Sequence, residues 1–248
     1  MYYNGSMLKN RARTVIANSK PKVLHAAIIF VAVSFLLSML SSRLMGPSIS
    51  MAEYERILGQ IEQGNTQYAY AYLEKNMPST GESLINVAIQ LVSPIFSAGF
   101  IIFLLETIRA RAACFGNLLD GFGLWWKIIL LNLLEGIFIA LWSLLLVVPG
   151  IIAMYRYRQA IYILIDNPDM RPIDCIRMSK HMMRGHKSEL LALDISFLGW
   201  MLLSMIPLVG WLVQIWLSAY SETSYALYYE QLAGHLDAEN VPGFDGYM

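Results

Sequence analysis

The stretch that decides the fold is "ISFLGWMLLSMIPLVGWLVQIWLSAYS", residues 195–221, in which no side chain carries a formal charge. Three other runs, residues 23–42, 84–105 and 136–155, also lack a formal charge. A helix needs about 20 predominantly apolar residues to cross the hydrocarbon core of a bilayer. The sequence therefore predicts an all-α fold, a polytopic membrane helical bundle.

Composition agrees with a membrane location and argues against several other classes. The chain is 56% hydrophobic and 15% charged, whereas about a quarter of the residues in soluble domains are charged. The formal net charge is zero, so no electrostatic argument supports a nucleic-acid partner. The two cysteines, Cys114 and Cys175, fall in segments expected in the cytoplasm, so no disulfide framework is expected.

We predict six transmembrane helices within a single membrane domain that covers residues 1–248. The spans are expected at about 23–41, 84–106, 126–148, 150–166, 188–206 and 209–230. The excess of Lys and Arg in alternate loops places both termini in the cytoplasm and residues 42–83 outside. Residues 232–248 are expected to form a cytoplasmic tail, and the basic stretch before the first span indicates a retained signal anchor. The expected location is the bacterial plasma membrane.

Two amphipathic helices are predicted at the membrane surfaces. Ser50 and Glu53 form a capping box before apolar residues at helical spacing, which predicts an outer helix that covers the spans or binds a partner. On the cytoplasmic side, a helix is expected from Pro172 to Gly185. Its apolar face would contain Cys175, Met178, Met182 and Met183. Its basic face would contain Arg177, Lys180, His181 and Arg184. Arg177, Lys180, Arg184 and Lys187 would contact anionic headgroups, or these basic residues would only set the topology without a specific ligand.

Two hairpins share a pattern that indicates a parallel internal repeat. A tryptophan precedes a proline by seven residues in both, Trp142 before Pro149 and Trp200 before Pro207. The repeating unit would be an interfacial helix, a span, a tight proline turn and a returning span. Parallel repeats occur in transporters, where ligands bind at the repeat interface. Chance similarity is the alternative, because Trp and Pro are common at membrane interfaces.

The segments "YRYRQAIYILIDNP" and "SKHMMRGHKSELLALDISFLGW" resemble a family of bacterial, mostly Gram-positive, integral membrane proteins of unknown function. That family is distantly similar to the membrane domain of some glycerophosphodiester phosphodiesterases. The resemblance runs from about residue 85 to 232, and its most specific parts are the Arg-Tyr pattern, Asp-Asn-Pro and Leu-Asp-x-Ser-Phe-x-Gly-Trp. It implies a plasma-membrane helical bundle and no assigned activity. Because no phosphodiesterase domain is present, that chemistry does not carry over.

Ionisable residues fall at similar depth on four consecutive predicted spans, about 12–14 Å above the cytoplasmic boundary at 1.5 Å per residue. Such residues face the bundle interior, where they pair with one another or line a wet cavity. One interpretation pairs Glu135 with Arg158, and Arg156 with Asp194 or Glu222, to hold helices together. The other is a polar cavity, whose candidate ligand-binding residues are Arg156, Arg158, Tyr157, Glu135, Asp194 and Glu222.

Three functions follow from these interpretations. The first is binding or translocation of an anionic amphiphile, of phospholipid or polyprenyl-phosphate type, because guanidinium groups bind phosphate bidentately. The second is a non-catalytic scaffold or accessory subunit with a membrane-protein partner, and the third is an ion-coupled small-solute transporter. We expect no enzyme, cofactor or metal site, because no zinc, phosphate-loop or nucleophile-elbow motif is present. The oligomeric state is left open.

Overall fold

The computed structural model describes residues 5–44, 50–76, 78–206 and 209–238, and these residues form helices and connecting turns without a strand. The α-helices are α1 (Gly5–Asn18), α2 (Val23–Leu44), α3 (Met51–Glu62), α4 (Thr66–Asn76), α5 (Thr80–Ile108), α6 (Trp125–Leu145), α7 (Val147–Tyr157), α8 (Ala160–Asp166), α9 (Pro172–Met182), α10 (Lys187–Ser204) and α11 (Gly210–Ala238). A 3-10 helix, Phe115–Leu124, leads directly into α6. The prediction of an all-α fold is confirmed.

Three helices in the described part of the chain are long and apolar enough to cross a membrane. They are α2, α5 and the continuous helical segment Phe115–Leu145. Each coincides with one of the six predicted spans. The other three predicted spans also fall on helices, but α10 carries Lys187, Glu189 and Asp194, and α11 is polar around Glu222. The six-span arrangement is therefore not established by length and composition.

The predicted span 150–166 does not form one continuous helix. It is divided into α7 and α8, with the interruption at Arg158 and Gln159. The Ser179 hydroxyl donates to the Arg156 carbonyl (2.8 Å) and accepts from the Gln159 N–H (3.2 Å). A side chain of α9 thus satisfies two backbone groups at the break, which explains how helical hydrogen bonding can stop there.

The chain divides into two compact units, Met1–Ala32 with Pro94–Met248, and Val33–Ser93. In the smaller unit α3 packs against α4, and Ser50 and Glu53 form the predicted capping box at the start of α3. A helix is therefore confirmed at this position, its location outside the membrane stays a prediction, and α4 was not predicted. Within this unit the Ser41 hydroxyl donates to Asn86 Oδ1 (2.6 Å), an interhelical bond typical of helix pairs in membranes.

In the larger unit α6 and α7 form a tight hairpin, but its turn is not at Pro149. The backbone is extended at Leu146 (φ −163°), and Pro149 lies in the first turn of α7. A proline is tolerated there because the first N–H groups of a helix have no partner within the helix. The prediction of a proline turn is therefore wrong for this hairpin. In the second hairpin, Pro207 lies outside the described residues.

The two hairpins share a close helix contact at a glycine. A Cβ on Gly150 would lie 2.1 Å from the Ser143 Oγ, and a Cβ on Gly210 would lie 2.2 Å from the Ser204 carbonyl oxygen. The order of surface helix, long helix, turn and returning helix occurs twice. The copies differ, because the first surface helix is a 3-10 helix and α9 is an α-helix, and because α11 has no counterpart of the break between α7 and α8.

The N- and C-terminal regions contain more helix than the sequence predicts. α1 packs against α11 and buries Leu8, Ala12 and Ile16, and the Arg13 guanidinium lies 5.4 Å from the centre of the Tyr220 ring. α11 continues to Ala238, so the first residues of the expected tail are helical. Leu232, at the start of that segment, is buried. Residues 239–248 of that tail lie outside the described residues.

Candidate functional site: a charged cavity and a neighbouring arginine cluster

The larger unit contains a cavity of about 470 Å³, lined by residues of α5, α6, α7, α8, α10, α11 and the α7–α8 break. Five of the six candidate ligand-binding residues line it: Glu135, Tyr157, Arg158, Asp194 and Glu222. Arg156 does not. Successive helical residues are rotated by about 100°, so two positions apart is a rotation of about 200°, and the two arginines cannot face the same way.

Arg158 is the cation of this cavity. Its guanidinium lies 4.7 Å from the centre of the Tyr225 ring, a cation–π geometry. No hydrogen bond or ion pair joins it to another of the described residues. A guanidinium has five N–H donors. Those donors remain available to a group that enters the cavity.

The three carboxyl groups of the cavity differ in how they are satisfied. Asp194 accepts hydrogen bonds from the hydroxyls of Tyr155 (2.9 Å) and Tyr225 (2.7 Å). Glu135 is different, because its buried Oε1 has no hydrogen-bond partner within the described part of the chain. Glu222 also lines the cavity, and it forms no ion pair with any described residue. Asp194 thus has two donors, whereas Glu135 Oε1 and the Glu222 carboxyl group accept from none of the described residues.

The ion pairs expected from the sequence are not formed among the described residues. Glu135 and Arg158 line the same cavity but are not within ion-pair distance of each other. Arg156 pairs with neither Asp194 nor Glu222, and its backbone carbonyl is held by Ser179. The positions along the helices indicated that Glu135, Arg158, Asp194 and Glu222 lie near one another, and these four residues do line one cavity. Those positions did not determine which side chains point at one another.

A second arginine, Arg109, lies at the end of α5 in a cluster that the sequence did not predict. It binds Asp166 of α8 through two parallel bonds of 2.7 and 2.8 Å, and Glu230 of α11 through bonds of 2.8 and 2.6 Å. Tyr229 donates to the same Asp166 carboxylate (2.7 Å). These hydrogen bonds, with Asp166 first, raise the pKa of Arg109. We call these four residues the Arg109 cluster.

A signal for the Arg109 cluster was present in the sequence but could not be interpreted. Asp166 is the first residue of the Asp-Asn-Pro motif, and the carbonyl of Pro168 accepts a hydrogen bond from Lys127 Nζ. Both ends of the motif are thus bound by cations from other helices. A cavity of about 480 Å³ lies beside the cluster and is lined by Arg109, Asp166 and Arg111, among other residues.

The two faces of α9 are as predicted, but their surroundings differ from the expectation. Arg177, Lys180, His181 and Arg184 are exposed, Lys187 and Met178 are half-buried, and Cys175, Met182 and Met183 are buried. The buried face packs against α6, α7 and α8, so protein and not lipid covers it. Burial raises the pKa of the Cys175 thiol to about 12. Arg177 also binds Asp174 (3.0 Å), which partly satisfies one member of the basic face.

Comparison with known proteins gives one family match. Residues 144–235 match the family model described as "Protein of unknown function (DUF975)". No curated protein and no solved structure matches the chain. The match fits the predicted resemblance to a family of unknown function, whereas nothing supports the further similarity to glycerophosphodiester phosphodiesterases. The matched segment includes Arg158, Asp194 and Glu222 of the cavity but not Glu135.

Proposed function

We propose that this chain is a six-span protein of the bacterial plasma membrane that binds, and moves or presents, an amphiphile whose anionic headgroup contacts Arg158. Both termini lie in the cytoplasm in this proposal. The proposal includes no catalytic step, cofactor or metal. The observation that carries it is an arginine on the wall of a cavity between helices that forms no ion pair with any described residue.

Six spans are supported by the two hairpins. α6 with α7–α8, and α10 with α11, are pairs of consecutive helices, and the apolar residues Leu144 and Leu145 at the end of α6 and Met205 after α10 are exposed. Exposed apolar residues at the end of a helix pair are unfavourable in water and favourable in a bilayer. Residues 147–166 would reach about 30 Å even with the break, which matches the hydrocarbon core.

The chemistry of the cavity favours an anionic headgroup at Arg158. A charged side chain at membrane depth costs about 2.5–3.5 kcal/mol, so such residues are normally paired. Arg158 has no such partner among the residues that the structure describes. Its planar fork of donors fits a phosphate bidentately. A ligand with a phosphate would therefore supply the missing counter-ion.

The size of the cavity indicates which part of the ligand enters it. Ligand pockets commonly measure about 300–1,000 Å³, and this one measures about 470 Å³. A headgroup fits such a volume, whereas a lipid with two acyl chains does not. We therefore place the headgroup in the cavity and the acyl chains in the surrounding bilayer.

A scaffold or accessory subunit that binds a membrane protein is the second candidate. The exposed side chains of Tyr54, Leu58 and Ile61 on α3 favour it, because they form an apolar face that a partner could cover. An ion-coupled transporter is the third, and the unsatisfied carboxyl groups of Glu135 and Glu222 favour it. Both alternatives leave Arg158 without a phosphate ligand, so one experiment separates them from the first proposal.

The test compares thermal unfolding of the detergent-solubilised protein with phosphatidylglycerol and with a chain-matched diacylglycerol that lacks phosphate. A ligand that binds the folded state raises the melting temperature as its concentration increases. We expect the phosphate-bearing lipid to raise the melting temperature more than the diacylglycerol does. This difference should persist at roughly 0.5 M salt, where surface attraction is screened within a few ångströms. It should disappear in Arg158→Gln.

The matched control is a variant of the exposed basic face, Arg177→Gln/Lys180→Gln/Arg184→Gln. It removes cations that could attract an anionic lipid nonspecifically, without changing the cavity. We expect the lipid effect to survive in this control. If salt and the control abolish the effect while Arg158→Gln preserves it, the lipid binds at the surface and the scaffold becomes the better proposal.

A further inference from the structure

We infer that the cavity recognises a zwitterionic headgroup, one that carries a primary ammonium group as well as a phosphate. This inference rests on the proposed function, because the phosphate is placed at Arg158. It adds that Glu135 and Glu222 bind the ammonium group and so select among phosphate-bearing amphiphiles.

The first argument is the balance of charge on the cavity wall. One guanidinium, that of Arg158, faces the same space as the carboxyl groups of Glu135, Asp194 and Glu222. A phosphate alone would neutralise Arg158 and add negative charge to a wall that already contains more acid than base. A ligand that brings a phosphate and an ammonium group together adds no net charge. It therefore avoids the repulsion that a purely anionic ligand would meet.

The second argument is hydrogen bonding. Asp194 is occupied, because two tyrosine hydroxyls donate to it. Glu135 has a buried oxygen with no donor among the described residues, and no described residue donates to Glu222. A buried acceptor without a donor is costly, and Glu135 is in that state. The two acceptors without a described donor lie on α6 and α11, and the donors of Arg158 lie at the α7–α8 break, so different elements of one cavity wall carry the groups that would bind an ammonium and a phosphate.

The third argument concerns which cation fits. A primary ammonium has three N–H donors that can reach carboxylate oxygens, whereas a quaternary ammonium has none. Tyrosine rings can bind either kind through cation–π contacts, so Tyr155 and Tyr162 on the cavity wall do not discriminate. The carboxylates without donors do discriminate. They favour an ethanolamine-type headgroup over a choline-type headgroup.

The experiment measures dissociation constants of three chain-matched lipids, phosphatidylethanolamine, phosphatidylglycerol and phosphatidylcholine, by native mass spectrometry of the full chain in detergent. For wild type we expect phosphatidylethanolamine to bind about tenfold more tightly than either other lipid, the amount expected from one charge-assisted hydrogen bond. Glu135→Gln/Glu222→Gln should remove this preference and leave phosphatidylglycerol binding in place. The exposed control Glu62→Gln should keep the preference.

The outcomes separate this inference from the proposed function. If phosphatidylglycerol binds as tightly as phosphatidylethanolamine and both need Arg158, the proposed function stands and the inference is wrong. If no lipid depends on Arg158, the proposed function fails. Equal binding of the ethanolamine and choline lipids overturns the requirement for a primary ammonium. If the double variant does not fold, the single variants Glu135→Gln and Glu222→Gln must each weaken the preference, or the inference is wrong.

Free glycerophosphoethanolamine identifies the source of the headgroup. It has the same phosphodiester and ammonium groups as the lipid but no acyl chains. Tighter binding of the lipid than of the free headgroup, with the same dependence on Arg158 and on the two glutamates, supports a membrane lipid as the ligand. Equal binding supports the same headgroup chemistry in a soluble molecule. Binding of the free headgroup that ignores all three residues contradicts the inference.

Discussion

Arg109 and Arg158 lie in the same unit, yet their surroundings are opposite. Arg109 binds two carboxylates, Asp166 and Glu230, through four hydrogen bonds. Arg158 stacks on Tyr225 and pairs with no acid among the described residues, although three carboxyl groups share its cavity. The comparison shows that the position of an arginine along a predicted span does not determine its role. Its role depends on which side chains the fold places next to its guanidinium.

We therefore expect a division of roles between the two arginines, in which Arg109 stabilises the fold and Arg158 binds a ligand. A guanidinium with all its partners in place holds helices together, and removing it leaves partly buried charges unpaired. A guanidinium without ion-pair partners contributes little to the folded state in the absence of ligand, and its charge remains free to bind one. The three predictions below test this division through the free energy of unfolding in detergent.

The largest effect is expected for Arg109→Gln. The change leaves Asp166 and Glu230 close together without their cation, and like charges in a partly buried site repel. Because these carboxylates are only partly exposed, we expect a loss of about 3 kcal/mol in the free energy of unfolding. Arg111→Gln is the matched control, since Arg111 is largely exposed and its pair with Glu106 should contribute less than about 1 kcal/mol. Equal losses in the two variants would contradict the structural role of Arg109.

Much of the fold could be predicted because hydrophobicity and capping are local properties. The charge-free runs indicated helices, and helices are present at all six predicted positions. The Ser50–Glu53 capping box and the two faces of α9 were also correct. The break between α7 and α8 could not be predicted, because the backbone groups at the break are satisfied by the hydroxyl of Ser179, which lies 20 residues from Gln159 along the chain.

The candidate site could be predicted only in part, for the same reason. The depth of Glu135, Asp194 and Glu222 follows from their positions along helices, and they do line one cavity with Arg158. The Arg109 cluster depends on contacts across 57 and 121 residues of sequence, which helical periodicity cannot reveal. The prediction that Arg156 lines the same site as Arg158 was wrong. The 100° rotation per residue already implied that it and Arg158 face different directions.

An intermediate effect is expected for Tyr225→Phe. The change removes the hydroxyl that donates to Asp194 (2.7 Å) but keeps the ring on which Arg158 stacks. A hydrogen bond to a charged group contributes about 1.5–3 kcal/mol, and Asp194 retains Tyr155 as a donor, so we expect a loss of about 1.5 kcal/mol. Tyr70→Phe is the control, because Tyr70 is 72% exposed. If the two variants lose the same stability, the Asp194 bonds do not contribute to folding.

The smallest effect on stability is expected for Arg158→Gln. The Arg158 side chain forms no ion pair or hydrogen bond with a described residue, so the change removes a cation–π contact, which contributes about 0.5–1 kcal/mol. It also removes a longer-range attraction to the carboxyl groups of the cavity, which the cost of burying the charge offsets. We therefore expect a loss below about 1 kcal/mol in lipid-free detergent, together with loss of the stabilisation by phosphate-bearing lipid described above. A loss as large as that of Arg109→Gln would show that Arg158 holds helices together. The division between the two arginines would then be wrong, and a scaffold would explain the charged layer better than a headgroup site.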